Sequence, residues 1–312
     1  MNAIPLSEQP LEPVTHSRKT MLVRIGLLTS GVLVATIAAI WIYFHPSAQR
    51  QHGISYGSRA GVNLCLDVAT PEAANGLGIV FIVSGGWKSN PDRPHEWLTA
   101  PFLRHGFTVF SVFHLPQPHA TVAEIFADVS QAVRFIRNRA DDYGIDPDRL
   151  GVIGGSAGGH LSLLLATRGG TGADAADIAS SLQAAAVFCP VTDLTDLTGS
   201  TEDPGDGGPP RSFRAAFDQQ PVDMDRWRKT ARELSPLQHV TGDLPPTLIF
   251  HGDRDTLVPI SQSERFRDAA AAAGCDVDLV VIRGAGHTWL SLPLQVLQAA
   301  RWFDAQLCPR AD

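Results

Sequence analysis

At residues 154–158 the chain reads Gly154-Gly155-Ser156-Ala157-Gly158, between the apolar run "RLGVI" and the leucine-rich stretch "HLSLLLAT". This is a G-x-S-x-G pattern in the strand-to-helix context it needs, a turn so sharp that the serine's neighbours must be small while its hydroxyl is lifted clear of a sheet edge. A serine hydroxyl becomes a competent nucleophile when a base takes its proton, and a histidine base needs a carboxylate to hold its tautomer and stabilise the imidazolium. Downstream, "LIFHGDRDTLVP" places Asp253 and Asp255 just past an apolar run, and "VVIRGAGHTW" places His287 in the loop after the next one. Ser156, Asp255 and His287 therefore form a candidate acyl-transfer triad. Asp253, directly after His251-Gly252, reads as a turn former that caps its own loop, which favours Asp255. Asp193, in "CPVTD", is a further candidate acid whose more ordinary task is to order the loop that follows it.

A tetrahedral intermediate also needs backbone donors for its oxyanion. Ala157 N–H, next to the nucleophile at the start of a helix, supplies one, and the loop "VSGGWKSN" after an earlier strand is expected to supply the rest through Gly85 and Gly86, where no side chain obstructs a substrate. This chemistry calls for no cofactor and no metal. The acidic loop "TEDPGD" lacks the spacing of an EF-hand. Arg211, Arg214, Arg226 and Arg228 raise the idea of a nearby anion, although charges on a solvated helix face are the more ordinary account.

The elements that must position these groups alternate. From about residue 54, strand-like runs ("GVNLCLDVATP", "LGIVFIVSGGW", "FTVFSVFHL", "RLGVIGG", "LQAAAVFCPV", "PTLIFHG", "VDLVVIRG") are interleaved with helical periodicity. That is the signature of an α/β fold with a mainly parallel central sheet and helices on both faces. Val122, Ile125, Phe126, Val129, Val133 and Ile136 give the clearest helix, with Thr121 placed to cap it and Gly144 to end it. Residues 194–235, with "GSTEDPGDGGPP" at their heart, break the alternation as a lid-like insertion expected to roof part of the pocket.

The first fifty residues are a different object. "IGLLTSGVLVATIAAIWIYF", residues 25–44, carries no charge, and a helix of that length matches the hydrocarbon core of a bilayer. Arg18, Lys19 and Arg24 precede it and Trp41 and Tyr43 close it, so the positive-inside rule predicts a cytoplasmic tail, one transmembrane anchor and a linker within residues 1–50. Residues 51–312 then form a catalytic domain on the non-cytoplasmic side; the alternative is secretion after cleavage of a signal peptide. Residues 45–55 read as a polar linker. A net charge of -7 without a basic block in the body argues against nucleic acid as a partner. Four cysteines (Cys65, Cys189, Cys275, Cys308) show no metal-ligand spacing; Cys65 and Cys189 read as buried thiols, and Cys275 with Cys308 is the pairing expected if a disulfide forms.

Taken together, Gly154-Gly155-Ser156-Ala157-Gly158-Gly159-His160, the stretch from His251 to Pro259 and Gly284-Ala285-Gly286-His287 resemble the α/β-hydrolase superfamily over about residues 55–305. Within it they are similar to carboxylesterases related to hormone-sensitive lipase, kynurenine formamidase and the acetylxylan or feruloyl esterases. The resemblance implies a serine carboxylesterase acting on small-molecule esters of short acyl chain, with Asp255 as the acid because it stands three residues before Val258-Pro259. An amidase, peptidase or formamidase on the same triad, or a non-catalytic interaction module, are the alternatives. One departure is visible: where the family has His-Gly-Gly-Gly-Trp, this chain has Val83-Ser84-Gly85-Gly86-Trp87.

Overall fold

The computed structural model describes residues 18–92, 96–168 and 182–308, which fall into two units, Met1–His45 and Pro46–Asp312. In the first, helix α1 (Arg18–Phe44) contains the apolar window Leu27–Phe44, which by length and composition suits a membrane span or a signal sequence. His45 ends the helix by donating from its ring to the Trp41 carbonyl at 2.7 Å, which satisfies one of the carbonyls a helix end leaves over.

In the second unit the apolar runs become an eight-stranded sheet among the described residues, in the order β1-β2-β4-β3-β5-β6-β7-β8. The strands are β1 (Ala48–Arg59), β2 (Val62–Pro71), β3 (Gly78–Ile82), β4 (Thr108–Val112), β5 (Leu150–Gly155), β6 (Ala184–Phe188), β7 (Thr247–Gly252) and β8 (Val277–Ile282). From β4 to β8 across the sheet the neighbours are parallel; β1 and β2 form an antiparallel hairpin added to one edge. Central strands such as β5 and β6 are continuous apolar runs because helices cover both faces.

One face packs against α3 (Val122–Asn138), α5 (Ala157–Arg168) and α7 (Ser261–Ala272), the other against α2 (Glu96–Arg104) and α8 (Leu292–Leu307). Thr121 caps α3 in a reciprocal box with Glu124. The helix stops at Asn138, earlier than its periodicity suggests, and a short α4 (Ala140–Tyr143) carries the chain to Gly144, which takes the left-handed conformation (φ 63°) that ends it.

Two expectations change, and one helix is new. The stretch read as a polar linker is mostly strand: β1 pairs with β2 from Ala48 opposite Pro71 to Arg59 opposite Val62. An edge strand gains its order from backbone hydrogen bonds and buries few side chains, here Tyr56, so its composition looks like a linker. The expected pairing of Cys275 with Cys308 does not form; Cys275 Sγ donates to the Thr241 carbonyl and Cys308 Sγ to Asp304, and all four cysteines are free. Helix α2 was not legible, being short and interrupted by Pro101.

The insertion after β6 is itself packed. It contains a 3-10 segment, Arg211–Phe217, and α6 (Met224–Glu233), and it buries Phe217 and Trp227. Trp227 donates its indole N–H to the Gly207 carbonyl at 3.1 Å. Arg226 and Arg228 pair with Asp218 and Asp225, which accounts for two of the arginines without an anion.

Candidate active site

Ser156 sits in the one-residue turn between β5 and α5 with φ 53°, a left-handed conformation that a non-glycine residue holds at a cost of about 1–3 kcal/mol. The surrounding glycines explain how it is held. A Cβ on Gly154 would lie 2.4 Å from the Gly158 carbonyl oxygen, and one on Gly158 would lie 2.6 Å from that of Ile82. Strand, turn and helix are thus in backbone contact, and Ser156 N–H is anchored to the Phe188 carbonyl of β6 at 2.8 Å.

The three triad candidates come together. His287 Nε2 is 2.9 Å from Ser156 Oγ, and His287 Nδ1 is 2.7 Å from Asp255 Oδ2. The other carboxylate oxygen of Asp255 accepts the N–H groups of Leu257 and Val258, each at 2.9 Å, so the acid is fixed at both ends. His251, also buried, donates to the Val258 carbonyl at 2.8 Å and stands 3.4 Å from Asp255. Burial alone would raise the Asp255 carboxyl, but the hydrogen bonds from His251, His287 and Val258 outweigh it and hold the group far below the usual carboxylate range. Burial likewise pulls His287 down, but its bonds to Asp255 and Cys189 and the negative charge of Asp255 leave it raised above 6.5. A carboxylate that stays ionised and an imidazole with strengthened basicity are what a proton-accepting pair needs.

The rival acids are placed elsewhere. Asp253 accepts the Gly284 N–H at 2.6 Å and so ties the acid loop to the histidine loop. Asp193 accepts the N–H and hydroxyl of Thr195, closing a turn at the head of the insertion.

For the oxyanion the expectation needs one correction. The Gly85 N–H donates to the Lys88 carbonyl at 3.0 Å, with the reverse bond also at 3.0 Å, so it is committed to a turn. Gly86 N–H carries no hydrogen bond among the described residues, and Ala157 N–H, at the start of α5, has no helical carbonyl to bond. Gly86 and Ala157 are the donor pair this geometry leaves. Gly86 adopts φ 56°, a conformation that favours glycine, and a Cβ there would crowd Phe213 at 3.2 Å.

Bracing of that loop comes from side chains to which the sequence assigned no role. Trp87 donates its indole N–H to Nδ1 of His160 at 3.2 Å, and His160 Nε2–H donates to the Leu234 carbonyl at 2.7 Å. This fixes His160 as neutral, and burial pushes it down to about 4. Phe213 and Phe217 of the insertion pack edge-on against the Trp87 ring. Ser84 accepts the Gly158 N–H through its carbonyl at 3.1 Å, while its hydroxyl lies 2.9 Å from Nε2 of the buried His114. His114 Nδ1–H donates to the Leu115 carbonyl, so Nε2 is the acceptor and Ser84 the donor. A histidine near the end of the mostly apolar run "FTVFSVFHL" was the available signal for His114.

Cys189 is the other addition. It follows β6 with φ 39°, is buried, and its Sγ lies 3.4 Å from the His287 carbonyl. Donor atoms of Cys189, Asp255 and His287 lie within 4.8 Å of one another, a spacing that would suit a metal ion, although the Asp255–His287 bond already employs two of them.

Below Ser156 and His287 opens a cavity of about 840 Å³. Among the described residues that line it, none belongs to residues 194–235, so the insertion supports the oxyanion loop through Phe213 and Phe217 where the sequence suggested a roof.

The model of the BD-FAE family matches residues 66–269. The esterase LipQ of Mycobacterium tuberculosis is 32% identical over 72% of this chain and 54% of its own length. The isoprenylcysteine alpha-carbonyl methylesterase ICME of Arabidopsis thaliana is 27% identical over 79% of this chain and 58% of its own. The chain thus spans about half the length of the curated relatives it matches. Among solved structures, the thermophilic esterase Est2 of Thermogutta terrifontis superposes with a TM-score of 0.66 at 26% identity, covering 86% of this chain and 96% of that one.

Proposed function

The chain belongs to the BD-FAE family of the α/β-hydrolases, and from that premise we propose that it is a membrane-anchored serine carboxylesterase acting on small-molecule esters. The observation that carries the reading is the continuous path from Ser156 Oγ through His287, at 2.9 Å, to Asp255, at 2.7 Å.

On this reading His287 Nε2 takes the Ser156 proton as Oγ attacks the ester carbonyl carbon, and the carbonyl π electrons move onto oxygen. Gly86 and Ala157 N–H groups receive that oxyanion, aided by the positive end of the α5 dipole. As the tetrahedral adduct collapses, the imidazolium returns its proton to the departing alkoxide, leaving acyl-Ser156 and a free alcohol. Water then gives a proton to His287 while its oxygen attacks the acyl carbon, and in a second collapse His287 returns that proton to Ser156 Oγ as the carboxylic acid leaves. Each step needs Asp255 anionic, which its hydrogen bonds support.

The family membership and the esterase relatives support ester over amide substrates. Helix α1 supports anchoring, and Arg18, Lys19 and Arg24 ahead of the apolar window support a cytoplasmic N-terminus with the body on the opposite side.

The test is to treat the full chain, solubilised in detergent, with a fluorophosphonate probe and with p-nitrophenyl esters. Labelling of Ser156 that requires His287, accompanied by turnover, is the expected result. A chain that neither labels nor turns over any ester would instead be a binding module on this fold, and faster cleavage of a matched anilide would make it an amidase.

A further inference from the structure

We propose that the cavity beneath Ser156 is a tunnel for a flexible hydrocarbon chain, so that the preferred ester carries one long apolar limb in place of the short acyl group expected from sequence. The inference rests on the esterase reading for its chemistry, but its geometry is independent.

The tunnel runs down the α2/α8 face of the sheet. Its lining includes Phe81 of β3, Val109 of β4 and Ile153 of β5, with Phe102 of α2 and Val296 of α8 opposite. Strand register bounds its depth. Val109, the lowest lining residue, stands opposite Ile79, and Ile79 opposite Gly151, five residues below Ser156; only 1% exposed, Val109 closes the cavity at that level. At about 3.3 Å per residue the depth is at most roughly 16 Å. With single carbon bonds near 1.5 Å in a zigzag, that bounds the guest at on the order of a dozen carbons.

The packing around it is built for such a guest. A central parallel strand covered on both faces is normally buried throughout. Phe81 is the one residue of β3 that is not fully buried, and it lines the cavity. Protein interiors otherwise hold few voids larger than a water molecule, and an apolar cavity left unfilled costs stability. The floor is solid: Phe102 packs against Phe107 and Phe303, with ring centres 6.5 Å and 6.1 Å away. Phe303 occupies the space above Gly151, where a Cβ would lie 2.5 Å from its ring. Polar lining is concentrated at the mouth, in Ser84, Lys88, Ser89 and Asn90 beside Ser156 and His287. A volume of about 840 Å³ stands toward the upper end of the roughly 300–1,000 Å³ usual for small-molecule sites. An acetyl group would leave most of it empty.

The experiment compares kcat/KM of the detergent-solubilised full chain on p-nitrophenyl esters from acetate to dodecanoate, and on acetate esters of alkanols of the same lengths, with substrates kept monomeric. Burial of each methylene is worth up to about fourfold in kcat/KM, so one of the two series is expected to climb steeply to about ten carbons, and whichever climbs identifies the limb held in the tunnel. Val296→Phe and Leu292→Trp, which fill the lining, are expected to lower the decanoate-to-butyrate ratio at least tenfold. A second arm needs no turnover: a photoactivatable long-chain alkanol, applied to the Ser156→Ala protein, is expected to crosslink to the peptides bearing Phe102 and Val296. Crosslinking there without ester turnover would overturn the esterase reading and leave the tunnel standing. Turnover that is flat or falling with length in both series, with no crosslinks at these peptides, would overturn the tunnel and leave the esterase.

Discussion

The Ser84 hydroxyl donates to Nε2 of His114 at 2.9 Å, across a sheet edge that brings the end of β3 beside the end of β4. Family members with His-Gly-Gly-Gly-Trp have a histidine where this chain has Val83. Here a histidine from the neighbouring strand meets the loop one residue further on. Ser84→Ala is expected to leave a buried imidazole acceptor without its donor, costing about 1–3 kcal/mol in the denaturant midpoint. Because the loop carries Gly86, kcat is expected to fall more than KM rises. An unchanged kcat would show that the pair serves stability alone.

Asp255 is distinguished from the other acids by its contact with His287. Asp255→Asn is expected to lower kcat about 10⁴-fold. Asp193→Asn and Asp253→Asn should alter kcat far less, because their carboxylates close turns. Steady-state kinetics on one ester decides this, and a comparable loss at Asp253 would reassign the acid.

The pH profile carries a sign. Catalysis needs His287 neutral, and its bonds to Asp255 and Cys189 raise it above 6.5 despite burial. The acid limb of kcat/KM, which reports the free enzyme, is therefore expected above pH 6.5. Cys189→Ala removes one of the raising contacts and should move that limb toward lower pH. A limb that stays in place would deny Cys189 any electrostatic hold on His287.

His160 predicts acid sensitivity of the fold. Burial lowers it from 6.5 to about 4, so the neutral ring is bound by the native state and the unfolded chain takes up the proton first. Stability is complete above pH 6.5 and declines as pH falls through that window to about 4, by about 3 kcal/mol. Urea midpoints measured from pH 7 to pH 4 test this, and a His160→Gln variant should show a shallower decline.

Gly158→Ala would bring a Cβ to 2.6 Å from the Ile82 carbonyl, a backbone atom that cannot swing away. The expected result is a loss of about 1–3 kcal/mol of stability and a sharp loss of fluorophosphonate labelling at Ser156. The same substitution at Gly85, where a Cβ meets nothing within 4 Å, should be tolerated. Labelling rates and thermal midpoints of the two variants make the comparison.

Much of this protein was legible in one dimension because its chemistry sits at strand ends. Apolar runs of strand length, glycines beside Ser156, and acid and histidine each just past a later strand are local patterns. In a parallel sheet all such ends gather at one edge, so Ser156, Asp255 and His287 could be named as candidates from motif, chain order and the family resemblance. The apolar window in α1 and the Thr121 cap were equally local, each depending on side chains within a few residues.

Tertiary structure decided what depends on distant partners. β1 is a strand because β2 lies beside it, and its own composition is that of a linker. Gly85 lost its expected role to a bond with Lys88, while His114 and His160 gained roles from Ser84 and Trp87. Cys189 reached His287, and Cys275 and Cys308 found separate carbonyl and carboxylate acceptors. The tunnel is the clearest case, for it is a volume left between α2, α8 and four strands, and the strands read in sequence as ordinary core. Periodicity reports which face of an element avoids water; how closely two such faces meet depends on the shapes of side chains far apart in the chain.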